Sequence, residues 1–436
     1  RDPSSSGNLQ ILTFSTWVKR SKLGSLQKLY ICGEGVNYGY YSDISFDAND
    51  KLFARLESGG TMFLSTQVFR DTSAWYNILM AIDTTQGTAD NRCKVYVNGE
   101  RITAWDTDPA DTLSQNYNTS YTNHRNGSEQ WVGAIFNNDY WFGGYMAEVC
   151  FIDSAALNPT SFGEFDEDSG IWKPIDVSGL TFGKNGFYLE FKSGGNLGDE
   201  DKGTQTADWS ETNLTAVDQS TDTCTNNFCT MNPVLGALYT PTFSEGNLQV
   251  TQSTDNQHAV THGTFAVTKG VWYWEVKYIG NTGTSGPSDR AVGIQVPNVT
   301  NVFTQANYNT AGSILYYGYD GGEIFDEGTS TTADYGTYSQ NSILGISLDM
   351  DNSVISFYIN GNEVVDNYAL GSNASVIATP AVTWPNGTAS GTEMGMNFGS
   401  PFYALSSAVA DANGHGAFEY TPVGFALCTK NLAEFG

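Results

Sequence analysis

Apolar and polar residues alternate with period two through much of the chain. In GVWYWEVKY (270–278), Trp272, Trp274, Val276 and Tyr278 fall on one face, and Tyr273, Glu275 and Lys277 on the other. A strand with one face in a core and one in water has this pattern. A longer pattern occurs twice. VYVNGERI (95–102) has an echo in FYINGNEV (357–364), and upstream stand ILMAID (78–83) and ILGISLD (343–349). Each copy reads as a strand, a return strand of aromatic and β-branched residues, then Asn-Gly. That dipeptide suits a two-residue turn in which both central residues have positive φ. The repeat predicts two β-sandwiches of related architecture.

Residues 1–192 read as the first domain. Strands are predicted at 11–18, 29–32, 52–56, 61–64, 75–82, 94–97, 130–135, 144–152 and 187–191, with a hairpin turn at Gly59-Gly60. One helical turn is predicted after Asn158, where Pro159 suits the first helical position. Residues 193–235 are rich in Asp, Thr, Asn and Gly and read as an extended connector. Residues 236–436 read as the second domain and a C-terminal extension, with strands at 270–278, 290–296, 314–319, 343–348, 354–359 and 393–398. No segment has the pattern of a long amphipathic helix or coiled coil. The fold class implied is all-β, two tandem antiparallel sandwiches.

The chain of 436 residues is 40% hydrophobic, enough for two cores. Its net charge is −27, and past Gly236 the basic residues are only Lys269, Lys277, Arg290 and Lys430. Such a surface repels phosphate backbones and argues against nucleic-acid binding. No apolar run reaches the ~20 residues of a membrane helix, so membrane insertion is not expected. The chain opens at Arg1 without Met, which suggests a processed or partial polypeptide. Cys32, Cys93 and Cys150 lie in apolar stretches and read as buried thiols. Cys224 and Cys229 are close enough to bridge or to stay as two thiols. Clustered acidic oxygens suit Ca²⁺, and the candidate group is Asp320, Glu323, Asp326 and Glu327 around Gly321-Gly322. The competing reading is a solvated acidic loop.

WYNILMAID from Trp75, KVYVNGE from Lys94 and YMAEVCFID from Tyr145 resemble laminin-G-like, concanavalin A-like sandwiches. GVWYWEV from Gly270, AVGIQ from Ala291, YGYDG from Tyr317 and ILGISLDMDNSVISFYING from Ile343 resemble the SPRY domain, also a concanavalin A-like fold. FSTWVKRS from Phe14, TQVFRDTSAWY from Thr66, FGEFDEDSGIWKP from Phe162, TNNFCTMNP from Thr225 and GFALCTKNL from Gly424 resemble the large virion proteins of tailed phages of marine bacteria. That last resemblance implies a tail-fibre or other structural protein of the virion, assembled in the host cytoplasm. Its expected partners are other virion proteins, further copies of itself (a trimer is favoured) and a host cell-surface glycan. It also implies a further strand ahead of Arg1 and an attachment region outside this chain.

Catalytic patterns find little support. In concanavalin-like glycosidases the carboxylates lie on one strand as E-x-D-x-x-E. The nearest approach is Glu164, Asp166, Glu167 and Asp168, with Ser169 at the last position and Gly163, Gly170 and Pro174 around it, a polar loop. Asp349 and Asp351 read as turn residues. G-x-S-x-G, H-E-x-x-H and P-loop motifs are absent from the sequence. His124, His258, His262 and His415 are scattered; His258 and His262 have helical metal-ligand spacing but lie in a strand-and-turn region and read as exposed or linking residues. Sugar binding fits better, since it needs accessible aromatic faces beside amides and carboxylates. The candidates are Trp105, Asn138, Asp139, Tyr140 and Trp141 in the first domain, and Tyr308, Tyr317, Tyr319 and Trp384 in the second. The sequence leads to the expectation of a non-catalytic, glycan-binding tail fibre or receptor-binding protein. The alternatives are a capsid-decorating or head-fibre protein and a polysaccharide depolymerase.

Overall fold

The computed structural model describes the chain except residues 35–40, 57–58, 122–127, 136–139, 200–201, 204–208, 235–240, 253–258, 282–289, 298–311, 319–320 and 385–390. It is all-β and forms two compact units, Arg1–Gln219 and Ser220–Gly436. The segment expected as a connector is divided between them. Lys202–Gly203 pairs with the strand Phe187–Leu189, and Trp209 packs edge-on to Phe187 at 4.7 Å, so this part belongs to the first unit. Phe228, Cys229 and Met231 are buried in the second. Scattered aromatics suffice to anchor a chain whose average composition is polar.

The first sheet of the first unit runs, in spatial order, Lys202–Gly203, Phe187–Leu189, Gly144–Asp153, Ile11–Arg20, Trp75–Asp83, Cys93–Val97, Glu100–Arg101. The second runs Ser128–Val132, Gln27–Glu34, Tyr41–Phe46, Lys51–Arg55, Thr61–Val68, Trp105–Thr107. Inward residues of both sheets, among them Phe14, Val18, Ile78, Met80, Tyr30, Ile44 and Phe63, share one core.

The second unit repeats this order. Its first sheet runs Thr242–Ser244, Gln249–Thr251, Thr392–Asn397, Val271–Asn281, Ile343–Asp349, Val354–Ile359, Asn362–Ala369. Its second runs Ala259–His262, Thr379–Trp384, Ala291–Gln295, Ser313–Tyr317, Glu323–Asp326, Thr329–Ser330. The repeated sequence signature occupies the same place in each. Ile78 pairs with Val97, and Leu344 with Ile359. Asn98 and Gly99 have φ of 49° and 80°, and Asn360 and Gly361 have 50° and 77°. In each turn the Asn backbone N–H donates to the facing strand, and its side-chain oxygen accepts the N–H of the same residue, Asn77 or Ile343.

The sequence predicts that one face of Val271–Asn281 is solvated, but both faces are buried. Tyr273 and Glu275 lie under residues from the C-terminal segment, Tyr273 packing edge-on to Phe418 at 5.2 Å. Glu275 accepts from the backbone N–H groups of Glu419 and Tyr420, both at 2.9 Å, and from Asn397 at 3.1 Å. Burial pushes its carboxyl up, against the pull of those donors. Phe425–Ala426 pairs in parallel with Trp272 and Tyr273, on the edge that Thr392–Asn397 leaves open beyond Glu275. The helix Thr429–Phe435 follows, and Phe435 stacks on Phe425 at 3.9 Å. The outer face of the first unit's first sheet is covered similarly. Leu79, Ala81, Cys150 and Ile152 pack under Phe162, Val177 and Phe182.

Candidate functional site

The outer face of the first unit's second sheet gathers the densest unconventional chemistry. Register places Trp131 beside Ile31, Ile31 beside Asp43, and Asp43 beside Arg55. Lys28 and Asp43 form an ion pair with both side chains fully buried. Asp43 also accepts from Ser45 at 3.0 Å through the same oxygen, and its other oxygen has no hydrogen-bond partner. Burial, with Arg55 nearby, pushes the Lys28 ammonium down to about 7. A buried pair of this kind costs desolvation and is weak evidence of stabilisation by itself.

Aromatic rings surround these charges. Lys28 sits 5.3 Å from the Tyr41 ring centre and 5.9 Å from that of Tyr140. Arg55 sits 5.1 Å from Tyr41 and 5.5 Å from Phe53, and donates to the Tyr41 hydroxyl. Among the described residues no carboxylate lies within ion-pair distance of Arg55. Trp131 packs against Ile31, Tyr41 and Ile135, and its indole N–H donates to Glu129 at 3.0 Å. Tyr140 and Trp141 are 41% and 40% exposed, beside this cluster. The backbone carries them there, since the Lys28 N–H donates to the Tyr140 carbonyl at 3.0 Å and Tyr140 itself has φ of 51°. Aromatic faces beside charged donors and acceptors can hold a ring with polar edges.

Of the residues singled out by sequence, Tyr140 and Trp141 stand at this face. Trp105 is an edge-strand residue, half-buried against Phe63 at 5.3 Å, and Asp106 is paired with Lys51. Trp384 is fully buried in the second core; it sits at an inward strand position, so it is no ligand platform. Tyr317 lies on the outer face of the second unit's second sheet, edge-on to Phe325 at 5.2 Å, and is only half-buried. Asn138, Asp139, Tyr308, Tyr319 and Asp320 lie outside the described residues. Sequence reasoning missed Lys28, Tyr41, Asp43, Arg55 and Trp131. The alternation in YSDISF (41–46) was the available signal, for Tyr41, Asp43 and Ser45 share the outward face.

The three proposed calcium ligands among the described residues, Glu323, Asp326 and Glu327, are engaged with separate partners. Glu323 accepts from Ser330, Asp326 from Tyr368 at 3.0 Å, and Glu327 from the Gly312 N–H at 2.9 Å. Glu323 and Asp326 are an odd number apart on one strand and so face opposite sides. Among the described residues no group of three His, Cys, Asp or Glu could hold a metal ion. Glu164 stands on the short strand Gly163–Phe165, which pairs with Trp172–Pro174, while Asp166, Glu167 and Asp168 lie in the turn between them. There Asp166 accepts from the Ser169 backbone and from Lys173, which hold its carboxyl down at about 2. Asp349 caps the turn at Asn352. His262 is 2% exposed and bonded to Gln295 at 2.5 Å, not an exposed residue. Cys224 and Cys229 form no disulfide, and the Cys229 sulfur lies 3.7 Å from the Thr264 hydroxyl.

Comparison with known proteins bears mainly on the second unit. No curated protein sequence matches the chain. Among solved structures, the chain is similar to the SPRY domain of human HERC1 (20% identity, 35% of this chain, 89% of that one, TM-score 0.29). It is also similar to the TRIM65 PSpry domain (16%, 39% and 92%, TM-score 0.30). A third similar structure is titled "putative carbohydrate binding protein", from Bacteroides ovatus (15%, 44% and 48%, TM-score 0.30). The SPRY domain family profile matches residues 271–399, the stretch from the central strand Val271–Asn281 to the end of Thr392–Asn397. The second unit therefore carries a SPRY domain.

Proposed function

We propose that this chain is a non-catalytic attachment protein whose first unit holds a saccharide on the outer face of its second sheet. One observation carries the reading: Tyr140 and Trp141, adjacent and two-fifths exposed, stand beside a fully buried Lys28–Asp43 pair ringed by Tyr41, Arg55 and Trp131. Exposed rings stack on the apolar face of a sugar, and the partly exposed Arg55 guanidinium can donate to its hydroxyls, while the buried Lys28–Asp43 pair holds the strands beneath. The resemblance of FSTWVKRS, FGEFDEDSGIWKP and GFALCTKNL to phage virion proteins supports placing the protein in the virion as a tail fibre or receptor-binding protein, a trimer bound to other virion proteins.

The test is binding to a panel of bacterial surface polysaccharides. Tyr140→Ala and Trp141→Ala each weaken binding by about tenfold, or ~1.4 kcal/mol, with the melting temperature unchanged. Trp274→Ala, in the second core, instead lowers stability by ~3–5 kcal/mol. Polysaccharide recovered after incubation keeps its chain length. Shortened products would point to a depolymerase, and unaltered binding by both loop variants would remove the proposed face from consideration.

A second reading has its own observation. Phe165 and Ile171, on the small hairpin of the first unit, are 48% and 66% exposed. An apolar pair of this kind suits contact with another virion subunit, as a capsid-decorating protein requires.

A further inference from the structure

The first unit has a cleft of about 220 Å³ on its other sheet, away from the face described above. Its floor is Ala81, which pairs in register with Lys94, while Tyr96 lies two residues further along the same outward face. Asp83, Gln86 and Asn91 also line it, as do Ala156, Leu157 and Asn158 from the chain before the turn Pro159–Ser161.

The polar groups here are largely unspent. The ammonium of Lys94 and the side-chain amides of Asn91 and Asn158 make no hydrogen bond or ion pair. Asp83 accepts from Thr85 and Gln86, which outweigh burial and hold its carboxyl below the usual carboxylate range. It stays ionised but forms no ion pair with Lys94. With one charge of each sign in the cleft, neither an anion nor a cation gains net attraction to offset the loss of its own hydration, so a charged ligand is disfavoured. A neutral polyol is not, because each hydroxyl can accept from Lys94 or an amide while donating to Asp83 or an amide oxygen. The Tyr96 ring and Leu157 offer apolar surface for the C–H face of such a ring. The volume is below the ~300–1,000 Å³ of sites for drug-sized ligands, which limits the occupant to about one sugar ring.

We infer that this cleft is a second saccharide site, independent of Tyr140 and Trp141, that takes one neutral hexose unit. The test uses the full chain and the methyl glycosides of glucose, galactose and mannose, read by saturation-transfer difference NMR, with glucuronate and glucosamine as charged counterparts. At least one neutral glycoside binds saturably, and the charged sugars bind more weakly. Lys94→Gln and Asn158→Ala each weaken it by about fivefold without changing the melting temperature. Trp141→Ala leaves it unchanged, even where that variant has lost polysaccharide binding. The inference fails if no neutral glycoside binds, if charged sugars bind as well, or if Lys94→Gln and Asn158→Ala have no effect. It fails equally if Trp141→Ala abolishes monosaccharide binding, since the sugar then sits on the other face.

Discussion

Single residues decide more here than composition suggests. Gly361 is one. At φ of 77° an L side chain is strained, and a Cβ there would come within 2.6 Å of the Tyr420 ring. Gly361→Val is expected to lower the stability of the second unit by ~1–3 kcal/mol, read as a shifted thermal transition. Gly99 in the first unit is constrained alike, with a Cβ 2.6 Å from Trp172. Asp50 is another. Its carboxylate, 4% exposed, accepts from Arg20 at 3.0 Å, Arg70 at 2.9 Å and the Gly24 N–H at 2.8 Å. Burial acts to raise its pKa, but these donors prevail and hold it below the usual carboxylate range. A depressed folded-state pKa stabilises the fold above the unfolded value, and that contribution disappears as pH falls through the folded one. The first unit should therefore lose stability on acidification below about pH 4. Asp50→Asn should flatten that dependence and cost ~3 kcal/mol at neutral pH, because it strands the buried Arg20. Titrated melting of both proteins checks this.

At the scale of elements, strands with a clean two-residue alternation were legible, and those whose outward face is also covered misled. GVWYWEVKY read correctly as a strand, yet the pattern could not show that Glu275 meets the amides of Glu419 and Tyr420 far along the chain. Period two reports which face a residue takes and is silent about what lies over it. The same gap hid the strand Tyr41–Phe46 with its buried Asp43, and left Trp384, an inward strand residue, looking like a loop aromatic. The Asn-Gly turns were legible because their chemistry is local. The covering segment of the second unit hangs on Glu275, and Glu275→Ala leaves two amides without their acceptor. That change should cost ~1–3 kcal/mol. Hydrogen exchange at Glu419 and Tyr420 should quicken, while exchange in the Val354–Ile359 strand changes less.

For the whole molecule the governing quantity is a net charge of −27. Bacterial surfaces are commonly anionic, so approach is opposed at low ionic strength, where the Debye length grows to ~30 Å at 0.01 M. Adsorption to such cells should rise as salt is added toward physiological strength; adsorption that falls steadily with salt would show that local cations dominate instead. The all-β, two-sandwich architecture was legible from the repeat. The proposed binding face was legible only at Tyr140 and Trp141, because its other members sit on strands where sequence cannot separate a lined site from a packed sheet. The parallel strand Phe425–Ala426 has a consequence in time. Trp272 and Tyr273 wait for a partner about 150 residues later in the chain, which at ~5–20 residues per second means several seconds or more of synthesis. Until then the central strand of the second unit has an open edge and Glu275 lacks its amide donors. The second sandwich is thus closed by a segment about 150 residues downstream of its central strand, a checkpoint that keeps a nascent chain from completing this fold before that segment has been made.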